Sequence, residues 1–283
     1  MFEFWQGLTN PNIPFLRYAL IAGMLASVAF GIIGTYVVTR RITSIAGAIA
    51  HCVLGGIGAA LFLQAKYNLV WLKPVYGAIF AALLAAIIIG LVSIYAKQRE
   101  DTVIGAIWAI GMAVGLLFLA KTPGYVDLHS YLFGNILLVT RDDIFVTLIL
   151  DVIVLIPAIL FFNNILGVCF DNRFAELRGI KVKLIYLMLL CMTALTIVLM
   201  VNIVGIIMVI ALLALPAAVA GHYTKRIWSM MIFSVALSMI FTASGLAISY
   251  RMDLPSGPTI VIIAGACYLA SIIYFKLKKI LKK

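Results

Sequence analysis

The sequence predicts an all-α polytopic membrane protein, a single transmembrane domain over residues 1–283 built as a bundle of about nine (eight to nine) helices. Three observations carry that prediction. The 283 residues are 65% hydrophobic and 11% charged with a mean hydropathy of +1.19, against about 45–50% apolar and about 25% charged in soluble domains. Apolar runs long enough to cross about 30 Å of hydrocarbon at about 1.5 Å per residue recur with short polar breaks between them. These runs are continuously apolar and do not alternate, so they read as helices and not as strands of a closed barrel.

The spans fall near 14–39, 44–64, 75–96, 103–120, 143–163, 182–201, 203–221, 227–248 and 258–275. The first ends on Arg40 and Arg41, and the preceding MFEFW lacks a basic n-region, so this span is expected to be kept and not cleaved. The second contains GAIAHCVLGG. Lys97 and Arg99 separate the third from the fourth, and a long polar outer stretch separates the fourth from the fifth. The sixth and seventh meet almost without a loop at Asn202, which keeps a count of eight open.

Orientation follows from the basic residues. Placing Arg40/Arg41, Lys97/Arg99, Arg173 to Lys183, Lys225/Arg226 and the tail from Lys276 to Lys283 in the cytoplasm collects 15 of the 21 Lys and Arg there. The remaining six, Arg17, Lys66, Lys73, Lys121, Arg141 and Arg251, fall outside, giving an N-terminus out and a C-terminus in. The same pattern accounts for the formal charge of +11 without a nucleic-acid partner. The four cysteines, Cys52, Cys169, Cys191 and Cys267, have no metal-cage spacing and are expected to be free. No phosphate-binding G-x-x-x-x-G-K-[ST], no H-E-x-x-H and no G-x-S-x-G is present, which directs the reading from enzymes toward a transporter or the membrane subunit of a larger machine.

Two ionisable groups lie deep within spans, His51 and Asp151. A charged side chain at a helix centre costs roughly 2.5–3.5 kcal/mol on insertion scales, so each needs a reason. Neutral imidazole binds a borderline metal ion reversibly through a lone pair without burying a full charge. Gly55 and Gly56, one turn beyond His51, permit close helix approach, as do Gly111 and Gly115 at four-residue spacing. The alternative is a structural histidine bonded to a carbonyl. Asp151, eight residues past Asp143 and so about 12 Å deeper at helical rise, is read either as a protonated hydrogen-bonding group or as an ionised one facing a wet pathway.

On the outer side, Asp127 and His129 stand before a run too short to span, which reads as an interfacial half-helix with Tyr131 and Phe133 at headgroup level. Either these two residues receive metal or they simply face water. On the inner side, DNRFAELRGIKVK reads as a short helix with Asp171 as N-cap, Glu176 within it, Arg178 near its negative end and Gly179 ending it in the left-handed conformation.

Several stretches together resemble one family, the membrane permeases of zinc, manganese and iron ABC importers. They are AIAHCVLGG at 48–56, VDLHSYLFGNILLVTRDDI at 126–144, VNIVGIIMVIALLALPAAVA at 201–220 and LPSGPTIV at 254–261, in the expected order. The resemblance implies a permease of the bacterial plasma (inner) membrane that pairs as a homodimer or with a paralogue, docks a separate cytoplasmic ABC ATPase, and receives metal from a solute receptor on the outer face. It implies a divalent transition metal as cargo, zinc or manganese and then ferrous iron, with no permanently bound cofactor. It also identifies the segment around Ala175 and Gly179 as an A-x-x-x-G coupling helix, and His51 as a metal contact in the pathway. Many relatives carry an aspartate one turn before this histidine, where this chain has Gly47, and Asn135 replaces the family's aspartate after Y-L-F-G. Asp151 is then a candidate substitute for the missing carboxylate, and a second copy of His51 across a dimer axis is another. Two other functions are kept open: import of a metal chelate or vitamin-like cargo by the same kind of bundle, and a scaffold subunit that conducts nothing.

Overall fold

The computed structural model describes residues 14–69, 71–95, 100–123, 134 and 139–281. They form eleven helices: α1 (Pro14–Arg40), α2 (Thr43–Tyr67), α3 (Pro74–Tyr95), α4 (Glu100–Lys121), α5 (Arg141–Leu160), α6 (Phe162–Phe170), α7 (Asn172–Leu177), α8 (Val182–Val204), α9 (Ile206–Tyr223), α10 (Ile227–Met252) and α11 (Ser256–Leu281). Among the described residues, eight of these are long and apolar enough to cross a membrane. The 23-residue α8 is a further long helix, with a described apolar part at Val182–Val198. The all-α membrane bundle expected from composition is the observed architecture.

Local chemistry sets where the helices begin and end. Pro14 and Pro74 open α1 and α3, where a missing N–H is harmless because the first turn has no intrahelical partner for it. Thr140 caps α5 reciprocally with Asp143: the Asp143 N–H donates to Thr140 Oγ1 at 3.3 Å, and the Thr140 N–H donates to Asp143 Oδ2 at 3.0 Å. Asn68 ends α2 and Asp253 ends α10, both at φ 53°, the left-handed region that asparagine and aspartate tolerate better than most residues. Gly205 alone separates α8 from α9, at φ 82° and ψ 158°, a conformation open essentially to glycine.

The fifth expected span, 143–163, is divided in the structure. α5 stops at Leu160, the chain breaks at Phe161, and α6 begins at Phe162. Pro157 removes one N–H from the helix just before this break. The Ala158 carbonyl in the last turn accepts a hydrogen bond from the Tyr36 hydroxyl of α1 at 2.9 Å, which satisfies a group that would otherwise be orphaned and buried.

Two helices form the centre. α1 packs against α10, α9 and α5, and buries Phe30, Ile33 and Tyr36. α2 lies between α3 and α4 and also touches α8 and α9, burying Ile49, Leu54 and Ile57. The peripheral α4, α5 and α11 expose apolar side chains such as Leu117, Ile153 and Ile262, as a lipid-facing surface requires. In lipid, close packing of small residues takes over the role that water expulsion plays in a soluble core. A Cβ built on Gly55 would lie 2.8 Å from the Gly111 carbonyl oxygen, and one on Gly58 would lie 2.6 Å from that of Gly115, so α2 and α4 meet backbone to backbone. On the other flank of α2, a Cβ on Gly56 would overlap the Gly77 carbonyl oxygen of α3. The hydroxyls of Ser27, Thr35, Thr193 and Thr196 each donate to the carbonyl four residues back in their own helix, which removes the cost of placing them in the core.

Candidate functional site

His51 sits eight residues after the start of α2, about 12 Å into the helix at 1.5 Å per residue. Its ring is half-buried and stacks on the indole of Trp108 from α4, with centroids 4.5 Å apart and planes inclined by 17°. A Cβ on Gly47 would lie 3.6 Å from Trp108 Cζ3, so one indole covers the helix face that Gly47 and His51 share at i and i+4. Nδ1 of His51 is buried with no hydrogen-bond partner among the described residues. An imidazole nitrogen held in that way keeps its capacity to meet a cation or a proton. The next residue is not available for the same task, because Cys52 Sγ donates to the Ile107 carbonyl of α4 at 3.2 Å.

Trp108 is a part of this site that sequence reading does not find. It lies in a uniformly apolar span, and the only local hint is the space that Gly47 leaves one turn before His51.

Asp151 lies in the middle of α5 and is 4% exposed, with Oδ1 unpartnered among the described residues. Its helix packs on α1, α8 and α6, whereas His51 faces α4. Helix pairing within the chain therefore gives the two groups different neighbours. Among the described residues, no cluster of three or more His, Cys, Asp or Glu side chains is assembled. Asp127 and His129, with Tyr131, Phe133 and Asn135, lie outside the described residues.

At one end of the bundle, α7 is a single short helix. The Asp171 side chain accepts hydrogen bonds from the backbone N–H groups of Arg173 at 2.9 Å and Phe174 at 3.2 Å. Ala175 is fully buried, and its carbonyl accepts from the Ile180 N–H at 3.1 Å, closing the turn through Gly179 at φ 77°. Glu176 and Arg178 are exposed, and the Arg178 guanidinium stands 4.7 Å from the Phe174 ring centroid. Phe174 and Leu177 project from the same short helix, Leu177 at 87% exposure. An apolar side chain so exposed on a firmly anchored knob has the character of a contact surface.

A bundle of many membrane-length helices with an imidazole inside one of them and a capped surface helix between two others has the architecture of a membrane permease. The chain belongs to the ABC 3 transport family, whose sequence profile matches residues 12–275. It is 41% identical to a Chlamydia pneumoniae protein named "probable metal transport system membrane protein", over 89% of this chain and 86% of that one. It is 31% identical to the manganese import system permease protein ScaB of Streptococcus parasanguinis, over 95% of this chain and 93% of the other. Among solved structures, PsaBC from Streptococcus pneumoniae in complex with Fab matches with a TM-score of 0.84 and 31% identity, covering 98% of this chain and 99% of that chain. The resemblance to metal ABC importer permeases drawn from the sequence motifs is thereby borne out.

Proposed function

We propose that this chain is the membrane subunit through which a divalent transition-metal cation enters the cytoplasm, manganese first, with zinc and ferrous iron as the competing cargoes. The observation that carries this reading is the His51 imidazole, held at mid-span with a buried, uncommitted Nδ1, in a chain whose relatives include a protein named as a manganese import permease. A neutral imidazole offers one lone pair and no charge, so it can lower the barrier for a partly dehydrated cation without trapping it. Within one protomer, the described residues assemble no closed set of three ligands around it. We assign the further donors to water and to the His51 of a second copy across a dimer axis, an arrangement that favours passage over storage.

In this reading, ATP is hydrolysed on a separate ATPase subunit that grips α7 at the cytoplasmic face, and a metal-binding receptor delivers the ion outside. What supports the ATPase contact is the exposed pair Phe174 and Leu177 on a helix fixed by the Asp171 cap and the buried Ala175. The glycine seams between α2 and its neighbours α3 and α4 have no long side chains to unlock, so helices can slide along them when α7 is displaced. The N-terminus lies outside and the C-terminus in the cytoplasm of a bacterial plasma membrane, following the 15 to 6 bias of basic residues.

The experiment is ATP-driven uptake of manganese, zinc and ferrous iron into proteoliposomes holding the permease with its ATPase and receptor, wild type against His51→Ala. Accumulation of one metal by the wild type, lost in a variant that still assembles and still hydrolyses ATP, is the expected result. Normal uptake by His51→Ala overturns the role given to the imidazole, and uptake of none of the three metals overturns the cargo.

A further inference from the structure

A cavity of about 350 Å³ opens where α1, α3, α7 and α8 come together, with neither His51 nor Trp108 in its lining. Its lining is rich in charged and hydroxyl groups. Arg40, Arg41 and Lys183 contribute three cations against one carboxylate, Glu176, and Asn172 adds an amide from α7. Tyr186 and Ser93 bring hydroxyls, with their oxygens 3.4 Å apart. Two of the cations rest on aromatic rings: the Arg40 guanidinium lies 5.6 Å from the Tyr186 centroid, and the Lys183 ammonium lies 4.5 Å from that of Tyr95. Such contacts hold the charges in place while leaving their N–H donors free for an anion.

The backbone gives an independent sign. Arg41 has a φ of 62°, in a turn closed by the Arg41 N–H on the Val38 carbonyl at 3.1 Å and the Ile42 N–H on the Val37 carbonyl at 3.0 Å. This is the helix-terminating position at which glycine is the relaxed choice, and a long side chain kept there carries a conformational cost. Strain of this kind is retained where the side chain itself has a task.

Position selects the chemistry of the ligand. Arg40 is the last residue of α1, Ser93 and Ile94 lie in the last turn of α3, and Val182 and Lys183 open α8. Three membrane helices thus end at this level, which is where lipid phosphates stand. Ile42, Ile94 and Val182 line the same cavity and present apolar contact beside the charges. Basic pockets between helices at a membrane face are suited to anionic headgroups.

We propose that this cavity binds a phosphate-bearing anion, supplied by the headgroup of an anionic phospholipid, and that the bound anion ties the α1–α2 turn and α8 to the coupling segment α7. Asn172 and Glu176 are the α7 residues in the lining, so occupancy of the cavity touches the helix assigned above to the ATPase. The anion site stands whether or not that assignment does.

The test uses the full-length permease, stripped of lipid and then placed in membranes of phosphatidylcholine alone, phosphatidylcholine with equal phosphatidylglycerol, or phosphatidylcholine with inorganic phosphate in the buffer. Retained ligands are counted by native mass spectrometry. Selective retention of phosphatidylglycerol is expected, and each cation removed should weaken it about fivefold, so Arg41→Gly with Lys183→Gln should weaken it about twenty-fivefold. Arg41→Gly suits the local backbone, so loss of retention in that variant is not a folding failure. Glu176→Gln should tighten retention, because it removes a carboxylate from the lining. Retention of inorganic phosphate in neutral membranes supports the same site with a soluble source for its ligand. Equal retention of the two lipids, no loss in Arg41→Gly with Lys183→Gln, or variants that lose only ATPase co-purification would each overturn the proposal, the last by making the cavity a protein-docking surface.

Discussion

Replacing Gly56 by alanine isolates the contribution of close helix approach on α2. A Cβ there would overlap the Gly77 carbonyl oxygen and come within 2.6 Å of the Ala81 Cβ. Neither neighbour is the flexible end of a side chain, so relief requires α3 to retreat by about 1.5 Å to reach ordinary contact. Overpacking of this kind costs about 1–3 kcal/mol, and rigid partners on the receiving side place this substitution near the upper end. Gly105→Ala is the matched control, because its Cβ would meet nothing within 4 Å, and alanine there gains up to about 1 kcal/mol of helix propensity. The two variants should therefore differ by about 2–4 kcal/mol, a gap of thirtyfold or more in the unfolding equilibrium. Denaturant titration of both proteins in one detergent measures it. Equal stability of Gly56→Ala and Gly105→Ala would refute the claim that backbone contact between α2 and α3 holds this flank together.

Other substitutions probe single contacts. Tyr36→Phe removes the hydroxyl that satisfies the Ala158 carbonyl and should cost about 1–3 kcal/mol in the same titration. Thr140→Ala removes half of the reciprocal cap on α5 and should cost about 1 kcal/mol, with faster amide exchange confined to its first turn. Trp108→Ala uncovers His51, so the imidazole should react faster with diethylpyrocarbonate by mass spectrometry, while Trp108→Phe should keep most of the protection; equal rates in all three proteins would dismiss the stack as a cover. Asp151→Asn keeps the shape and removes the acid: if the buried carboxyl supports metal passage, uptake falls while assembly is unchanged, and uptake at the wild-type rate removes Asp151 from the pathway.

The membrane helices are legible in the sequence because each is decided locally, by a long apolar run and the prolines and charges at its ends. Val182 and Ile227 begin α8 and α10 where the runs begin, and α2 and α10 continue slightly beyond the runs to Tyr67 and Met252, where Asn68 and Asp253 end them in the left-handed conformation. The division of α5 from α6 is not legible in the same way. Pro157 hints at it, but the partner of the Ala158 carbonyl is Tyr36, 122 positions away, and pattern within the segment carries no trace of that bond. The same distinction runs through the site. His51 stands out because a polar ring within an apolar span is costly, whereas Trp108 is one apolar residue among many until packing brings it over the imidazole. Asp151 stands out for the reason His51 does, yet its separation from His51 is a property of helix pairing, which the order of spans leaves open. Arg40, Arg41 and Lys183 are visible only as charges that orient the chain, and their convergence beside α7 is a product of the fold.

The joint at Gly205 has a mechanical consequence. α8 runs through 23 residues, about 35 Å, and α9 through 18, about 27 Å, with the single residue Gly205 between them. Arms joined so tightly turn as a crank: a tilt of the first is handed to the second through one pair of backbone torsions, with no slack loop to absorb it. α8 starts a few residues after α7, and α9 lies against α1, α10 and α11. A tilt of α8, which begins beside the surface helix α7, is therefore passed at Gly205 to α9 and through it to a different set of neighbours, α1, α10 and α11. Alanine at 205 would stiffen or misalign this crank while leaving every ligand-bearing side chain in place.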